Sequence, residues 1–253
     1  MNFRFITLTI FAPYLASLVV ALTASVASAQ QISVFPIRVE FAADKTSTSV
    51  TVGNNTERTL VLQPGAVTWQ QINGAEKQQP TRDILTAPPL VEIAPGAQQV
   101  IRVALRAPAQ ADRELSYRLL LREVPSTDKD GNQTGVKFLL NFSLPVFIAP
   151  TAAKPEAKLS ATATFRPAGK GKGAAPAALV LAFRNAGSAH SQVTEVKMPD
   201  GNAVKMMFYV LPGGERNVEL PWTASAAPAA SLPVALVTSR GPVALDVPVQ
   251  RIP

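Results

Sequence analysis

Short runs in which apolar and polar residues alternate, each cut off by Pro, Gly, Asn or Asp, recur along the whole chain and constrain its fold most. Examples are "QISVFPIRVEF", "STSVTVGN", "RTLVLQPGAVTW", "QVIRVAL" and "LSYRLLLREVP". Alternation with period two places successive side chains on opposite faces of a β-strand. Long helical patterns are few, and the 22 prolines punctuate the chain too often for a helical protein. Regularly spaced short strands with turn signals between them are the sequence form of an all-β sandwich.

One run stands apart. Residues 135 to 150 read "GVKFLLNFSLPVFIAP". Every second residue is apolar: Val136, Phe138, Leu140, Phe142, Leu144 and Val146. The opposite face carries Lys137, Leu139, Asn141, Ser143 and Pro145, which is not polar enough for an ordinary surface. A strand of this kind left exposed is an aggregation hazard, so something must cover it.

The first residues read as an export signal. Arg4 precedes an apolar stretch from Phe5 to about Val26, closed by the small-residue pattern Ala27-Ser28-Ala29. A transmembrane anchor is the alternative, but Pro13 interrupts the stretch and no cationic stop-transfer flank follows. No later run is long and apolar enough for a membrane helix, so no stable membrane insertion is expected. Cleavage after Ala29 leaves 224 of the 253 residues, Gln30 to Pro253, enough for one large or two small domains. The formal charge of +7 becomes +6 without Arg4. The absence of cysteine excludes a disulfide framework and thiolate metal sites, so the cores must hold by packing.

The strands fall into two sets. Residues 30–150 hold the first. The second starts near "KLSATATF" and runs through "ALVLAFRNAG", "SQVTEVKM", "KMMFYVLPGGERNVELPW" and "LPVALVTSRGPVALDVPVQ" to residue 253. Between them "IAPTAAKPEAK" reads as a short stiff linker. The expected organisation is a signal peptide over 1–29, an N-terminal domain over 30–150 and a C-terminal sandwich over 151–253. The two sandwiches should meet at an angle with a cleft between them.

Chemistry-bearing constellations are nearly absent. The single histidine, His190, sits in a polar turn without a cysteine or acid at ligand spacing, so no metal site is expected. No serine sits in a nucleophile elbow. Glu114 and Glu123, nine residues apart on one strand, are too far apart to flank a glycosidic bond. The Gly-rich basic loop "FRPAGKGKGAAPAA" lacks the spacing and the strand-to-helix setting of a phosphate cradle. Charges are dispersed and aromatics few, which argues against nucleic-acid binding. The chain thus reads as a binding protein without catalytic residues or cofactors.

Several segments resemble one family, and together they cover nearly all of the exported chain. "DRELSYRLLLREVP", then a polar loop, then "VKFLLNFSLPVFIAP", resembles the F and G strands of PapD-like periplasmic pilus chaperones. "ISVFPIRVEF" resembles the family's first strand, with Arg38 at its characteristic arginine. "PPLVEIAPGAQQVIRV" resembles its Pro-Pro hairpin, and "FRNAGSAHSQVTEV" and "YVLPGGERNVELP" resemble its second domain. Aligned on the closing proline, Pro145 stands where the better-known branch carries a lysine, and Ala149 where it carries an arginine. "SLPVFIAP" and "YVLPG" are instead similar to the alternative, or archaic, branch.

The resemblance implies two immunoglobulin-like domains and a function. Family subunits lack their last strand, and the chaperone lends its G strand to the groove this leaves, an established case of strand addition. The donor row would be Val136, Phe138, Leu140 and Phe142, with Leu144 and Val146 kept in the chaperone's own core. Burying the four donor side chains is worth about 6–12 kcal/mol gross, at ~1.5–3 each, much of it offset by ordering. The subunit's C-terminal carboxylate would be anchored by Arg38 and a second cation, Arg118 ahead of Arg122. The implied partners are pilus or fimbrial subunits and an outer-membrane usher, and the free strand could also drive self-association. Two other readings stay open. One is a secreted structural or adhesive β-sandwich, itself a pilus component; such a subunit would usually be one domain with an N-terminal donor extension. The other is a periplasmic enzyme, which a pocket lined by clustered acids would support. A neighbouring gene for an usher separates the chaperone from both.

Overall fold

The structure is a computed structural model that describes residues 32–251 except 107, 111, 126–137, 153, 170, 172 and 225. The proposed signal segment and Val136 lie outside the described residues. Those described form seventeen strands and no helix. No helix among them is therefore long and apolar enough to cross a membrane.

The first ten strands are β1 (Ile32–Phe35), β2 (Val39–Phe41), β3 (Ser47–Asn54), β4 (Leu60–Ile72), β5 (Ala75–Pro80), β6 (Ile84–Ala87), β7 (Val91–Ile93), β8 (Gln98–Leu105), β9 (Leu115–Glu123) and β10 (Asn141–Ile148). They build two sheets. One has the order β1-β3-β8-β6; the other has the order β2-β10-β9-β4-β5, with β7 also on β4. Sequence alternation sets what lies between them. Tyr117, Leu119 and Leu121 of β9 and Leu144, Val146 and Ile148 of β10 enter a core with Val50, Val52, Ile101 and Val103. The β4–β5 hairpin turns on Asn73-Gly74, both at positive φ (53° and 77°), the pairing a two-residue hairpin loop requires.

The second set comprises β11 (Leu159–Arg166), β12 (Ala178–Asn185), β13 (Ser191–Lys197), β14 (Ala203–Val210), β15 (Glu215–Pro221), β16 (Ser231–Thr238) and β17 (Gly241–Arg251). Strand β17 pairs antiparallel with β16 along residues 241–248, then parallel with β11 through Val249–Arg251, so one strand serves both layers. The same device opens the chain: β1 pairs with β3, and after Pro36 the chain crosses to the other sheet, where β2 runs parallel to β10. The second core is separate and holds Leu181, Phe183, Val193, Val210, Val234 and Val247.

A small third cluster joins the sandwiches. Trp69 and Phe147 from the first pack on Leu211 and Tyr209 from the second. Beside it, the buried Gln71 side chain donates to the Tyr209 carbonyl (2.8 Å) and accepts from the Leu211 amide (2.9 Å). A buried amide with both ends satisfied by the other domain fixes their relative placement, because separating them would strand its polar groups.

Candidate functional site

Strand β10 has one covered side and one that is mostly open. It pairs with β9 along its whole length, from Asn141↔Arg122 to Ile148↔Leu115. On its other side β2 reaches only Val146 to Ile148. The parity of the backbone follows from two hydrogen bonds. Glu123 N–H donates to the Leu140 carbonyl (2.8 Å), and Ala149 N–H donates to the Phe41 carbonyl on β2 (2.9 Å). Even-numbered residues of β10 therefore address β9, and odd-numbered residues address the β2 side. Asn141 and Ser143 point their N–H and C=O groups along the open edge, and Pro145 points a C=O alone. A proline is tolerated mid-strand at this position because the missing N–H falls on the unpaired side.

The alternation over 135–150 predicts a longer strand than is found. Regular pairing starts at Asn141, and Phe138 to Leu140 precede it without a ladder. The reason is the end of the neighbouring strand, since β9 stops at Glu123 and Pro125 follows. Glu123 also fixes the point of entry. Its buried carboxylate accepts the Leu140 amide (2.9 Å) and pairs with Arg58. Burial alone would raise the Glu123 pKa, but the Arg58 hydrogen bond, the Leu140 amide and the Arg58 charge outweigh it and hold the carboxyl below its usual range. The folded pKa is thus below the unfolded one. The associated stability is complete above the unfolded value of ~4.3 and is lost as pH falls through the folded value. Replacing Glu123 with Ala is expected to cost about 1–3 kcal/mol, since Arg58 is half exposed and can be solvated but the Leu140 amide loses its acceptor. Chemical denaturation at neutral pH and below pH 3 checks this: the gap between wild type and variant should shrink in acid.

The open edge leads to a cleft of about 740 Å3 whose walls come from both sandwiches, among them Arg38, Arg118 and Pro145 from the first and Gln192, Met207 and Tyr209 from the second. Arg38 stands one residue before β2, in the lane beside β10 where the open edge ends. Its Nε pairs with Glu40 (2.8 Å), and Nη1 lies 3.4 Å from the Gln192 side-chain oxygen. Arg118 lies across from Pro145 in the β9–β10 register. Its guanidinium sits 3.6 Å over the Trp69 ring, and its buried Nε has no hydrogen-bond partner. Burial lowers the Arg118 pKa most; Glu76 and Tyr209 act against this, and Arg216 adds to it. The arrangement is a half-buried cation without a bonded anion, next to a second cation with donors to spare. A carboxylate entering the cleft would satisfy both.

The sequence-predicted residues are thus distributed as follows. Arg38 and Arg118 share the cleft. Arg122 is exposed and pairs with Asn141 at the far end of β10, away from it. Phe138 is 84% exposed and Leu140 37%, whereas Phe142 is partly buried against the first core. Leu144 and Val146 are core residues. Two features escape a reading of the sequence. His190 is buried, stacks on Phe147 at 3.6 Å and bonds through Nδ1 to the Glu114 carboxylate (2.8 Å). This corrects the expectation that it lacks an acidic partner, because Glu114 comes from the other sandwich, 76 residues away. The second is the placement of Gln71 and Gln192, polar residues with no local signal. No group of three or more possible metal ligands occurs among the described residues.

Comparison with known proteins gives consistent results. No curated protein matches the sequence. The chaperone of the CsuC–CsuE chaperone–tip adhesion subunit pre-assembly complex, from archaic chaperone–usher Csu pili of Acinetobacter baumannii, superposes with a TM-score of 0.64 at 17% identity, over 87% of this chain and all of that one. The Escherichia coli chaperone DraB gives 0.58 at 17% identity, over 87% of this chain and 96% of that one. The Salmonella enterica SafA pilin–SafB chaperone complex gives 0.56 at 16%, over 84% and 94%. These likenesses establish the fold of two immunoglobulin-like sandwiches. Residues 31–154 match the model of the pili and flagellar-assembly chaperone PapD N-terminal domain. Residues 31–154 thus belong, as an N-terminal domain, to the pili and flagellar-assembly chaperone family.

Proposed function

We propose that the chain is a periplasmic chaperone that binds pilus subunits by donor-strand complementation and delivers them to an outer-membrane usher. The observation that carries this is the open edge of β10, which runs out of an exposed apolar segment and into a cleft holding two arginines. A subunit strand entering that lane would run parallel to β10, as β2 does further along, and end against Arg38. Asn141 and Ser143 would supply main-chain donors and acceptors, while Phe138, Leu140 and Phe142, with Val136 before them, would fill the subunit's groove. At the end of the lane Pro145 offers no donor, so the terminal carboxylate would take its hydrogen bonds from Arg38 and Arg118.

In this reading residues 30–150 form the subunit-binding domain, 151–253 the second domain, and 1–29 the export signal. The proline in place of the strand lysine, with an arginine supplied opposite it by β9, supports assignment to the archaic branch. No catalytic, metal or cofactor role is proposed, in keeping with a chaperone family. Free chaperone would associate through the exposed Phe138–Leu140 segment. The test is periplasmic co-expression with a cognate small immunoglobulin-like subunit. A soluble one-to-one complex, and loss of the subunit when expressed alone, is the expected result. A subunit that accumulates equally without the chaperone and never co-purifies would overturn the proposal.

A further inference from the structure

Three large apolar side chains stand at the mouth of the basic cleft, and the packing of this chain does not account for them. Phe35 is 76% exposed, Ile37 74% and Met207 73%. Phe35 and Ile37 flank Pro36 on the crossover between β1 and β2; Met207 projects from β14 in the other domain. All three line the cavity that contains Arg38 and Arg118. Exposed residues of this size cost solubility, and three of them rimming one concave site mark a binding surface rather than scattered exposure.

We infer that this rim selects the side chain next to the carboxylate, so that the preferred ligand is a strand ending in an aromatic or long aliphatic residue with a free C-terminus. The inference rests on the proposed anchoring of a chain terminus in the cleft. The lane beside β10 closes where β2 begins, so a strand in it stops beside Arg38. Its last side chain then leaves the ladder and lies between the crossover and β14. The cavity, about 740 Å3, is much larger than a carboxylate needs and has room for that side chain. Charge complementarity fixes the other half of the ligand: the acid in the lining, Glu40, is already paired with Arg38, which leaves the site cationic.

The experiment uses the exported chain and fluorescein-labelled octapeptides that alternate Thr and Val, ending in Phe acid, Ser acid or Phe amide. Binding is read by fluorescence anisotropy. Phe acid should bind about tenfold tighter than Ser acid, as burial of most of one aromatic side chain allows. In the double variant Phe35→Ser, Met207→Ser that preference should fall below about twofold, while acid stays preferred over amide. Both residues are exposed, so the variant should fold, which circular dichroism checks. Equal binding of Phe and Ser acids to the wild type would overturn the inference yet leave the anchor standing. Equal binding of acid and amide would instead remove the anchor on which it rests. No binding of Phe acid at about 1 mM would overturn both.

Discussion

Arg118→Ala should leave the chaperone folded and cost it its subunit. The two effects separate because the arginine contributes little to the free protein. Its stack on Trp69 is worth about 0.5–2 kcal/mol, and removing a half-buried cation without a bonded anion recovers desolvation that offsets much of this. In the complex the same guanidinium would be the partner of a desolvated carboxylate. Truncating one member of such a pair costs about 2–5 kcal/mol, or roughly 30- to 4000-fold in affinity. Arg38→Ala should weaken binding less, because Arg38 is already held by Glu40 and part of its charge is compensated. Arg122→Ala, away from the cleft, should change neither property. Thermal melts and subunit pull-downs of the three variants check the order. Wild-type capture by Arg118→Ala would remove it from the anchor.

Phe138→Asp should be the most damaging change on the donor segment while being harmless to the free protein. Phe138 is 84% exposed, so a carboxylate there remains hydrated. Inserted into an apolar groove, the variant forfeits about 1.5–3 kcal/mol of aromatic burial and adds several kcal/mol for an unpaired charge. Capture should fall more than about 1000-fold, below detection in a pull-down. Free Phe138→Asp should also lose any tendency to self-associate. An unfolded variant would make Phe138 ordinary core, and a folded variant that still captures its subunit would put the donor row elsewhere.

The residues of the first domain show what a sequence can and cannot reveal about such a site. Period-two alternation in β9 and β10 suffices to send Leu119, Leu121, Leu144 and Val146 inward, and it gives the all-β architecture directly. The Asn73-Gly74 hairpin is equally local. The length of β10 is not local, because it depends on where β9 ends and on the Glu123 carboxylate that receives Leu140. Its openness is less local still. It results from β2 being only three residues long and lying beside the far end of β10, a consequence of the crossover after Pro36. The pairing of Glu114 with His190 and the two-sided grip of Gln71 span the domain boundary, so no spacing in the sequence encodes them. Arg38 and Arg118 are 80 residues apart in the sequence, and only the sheet order β2-β10-β9 brings them to one cleft. A resemblance to a family supplies what spacing cannot, and only where the family's residue is present. At Pro145 it is absent, and the residue across the register from it is Arg118, the substitute proposed above.

Amide hydrogen exchange along β10, with and without bound subunit, tests the donor-strand account most directly, because the backbone parity gives each residue its own expectation. The amides of Phe142 and Leu144 already bond to β9 and should exchange slowly in both states. Those of Asn141 and Ser143 face the open lane and should exchange fast in the free chaperone, then slow by orders of magnitude in the complex. Subunit bound at full occupancy with Asn141 and Ser143 still exchanging as in the free protein would contradict the account, since the strand would then be a neighbour of the subunit and not a part of its sheet.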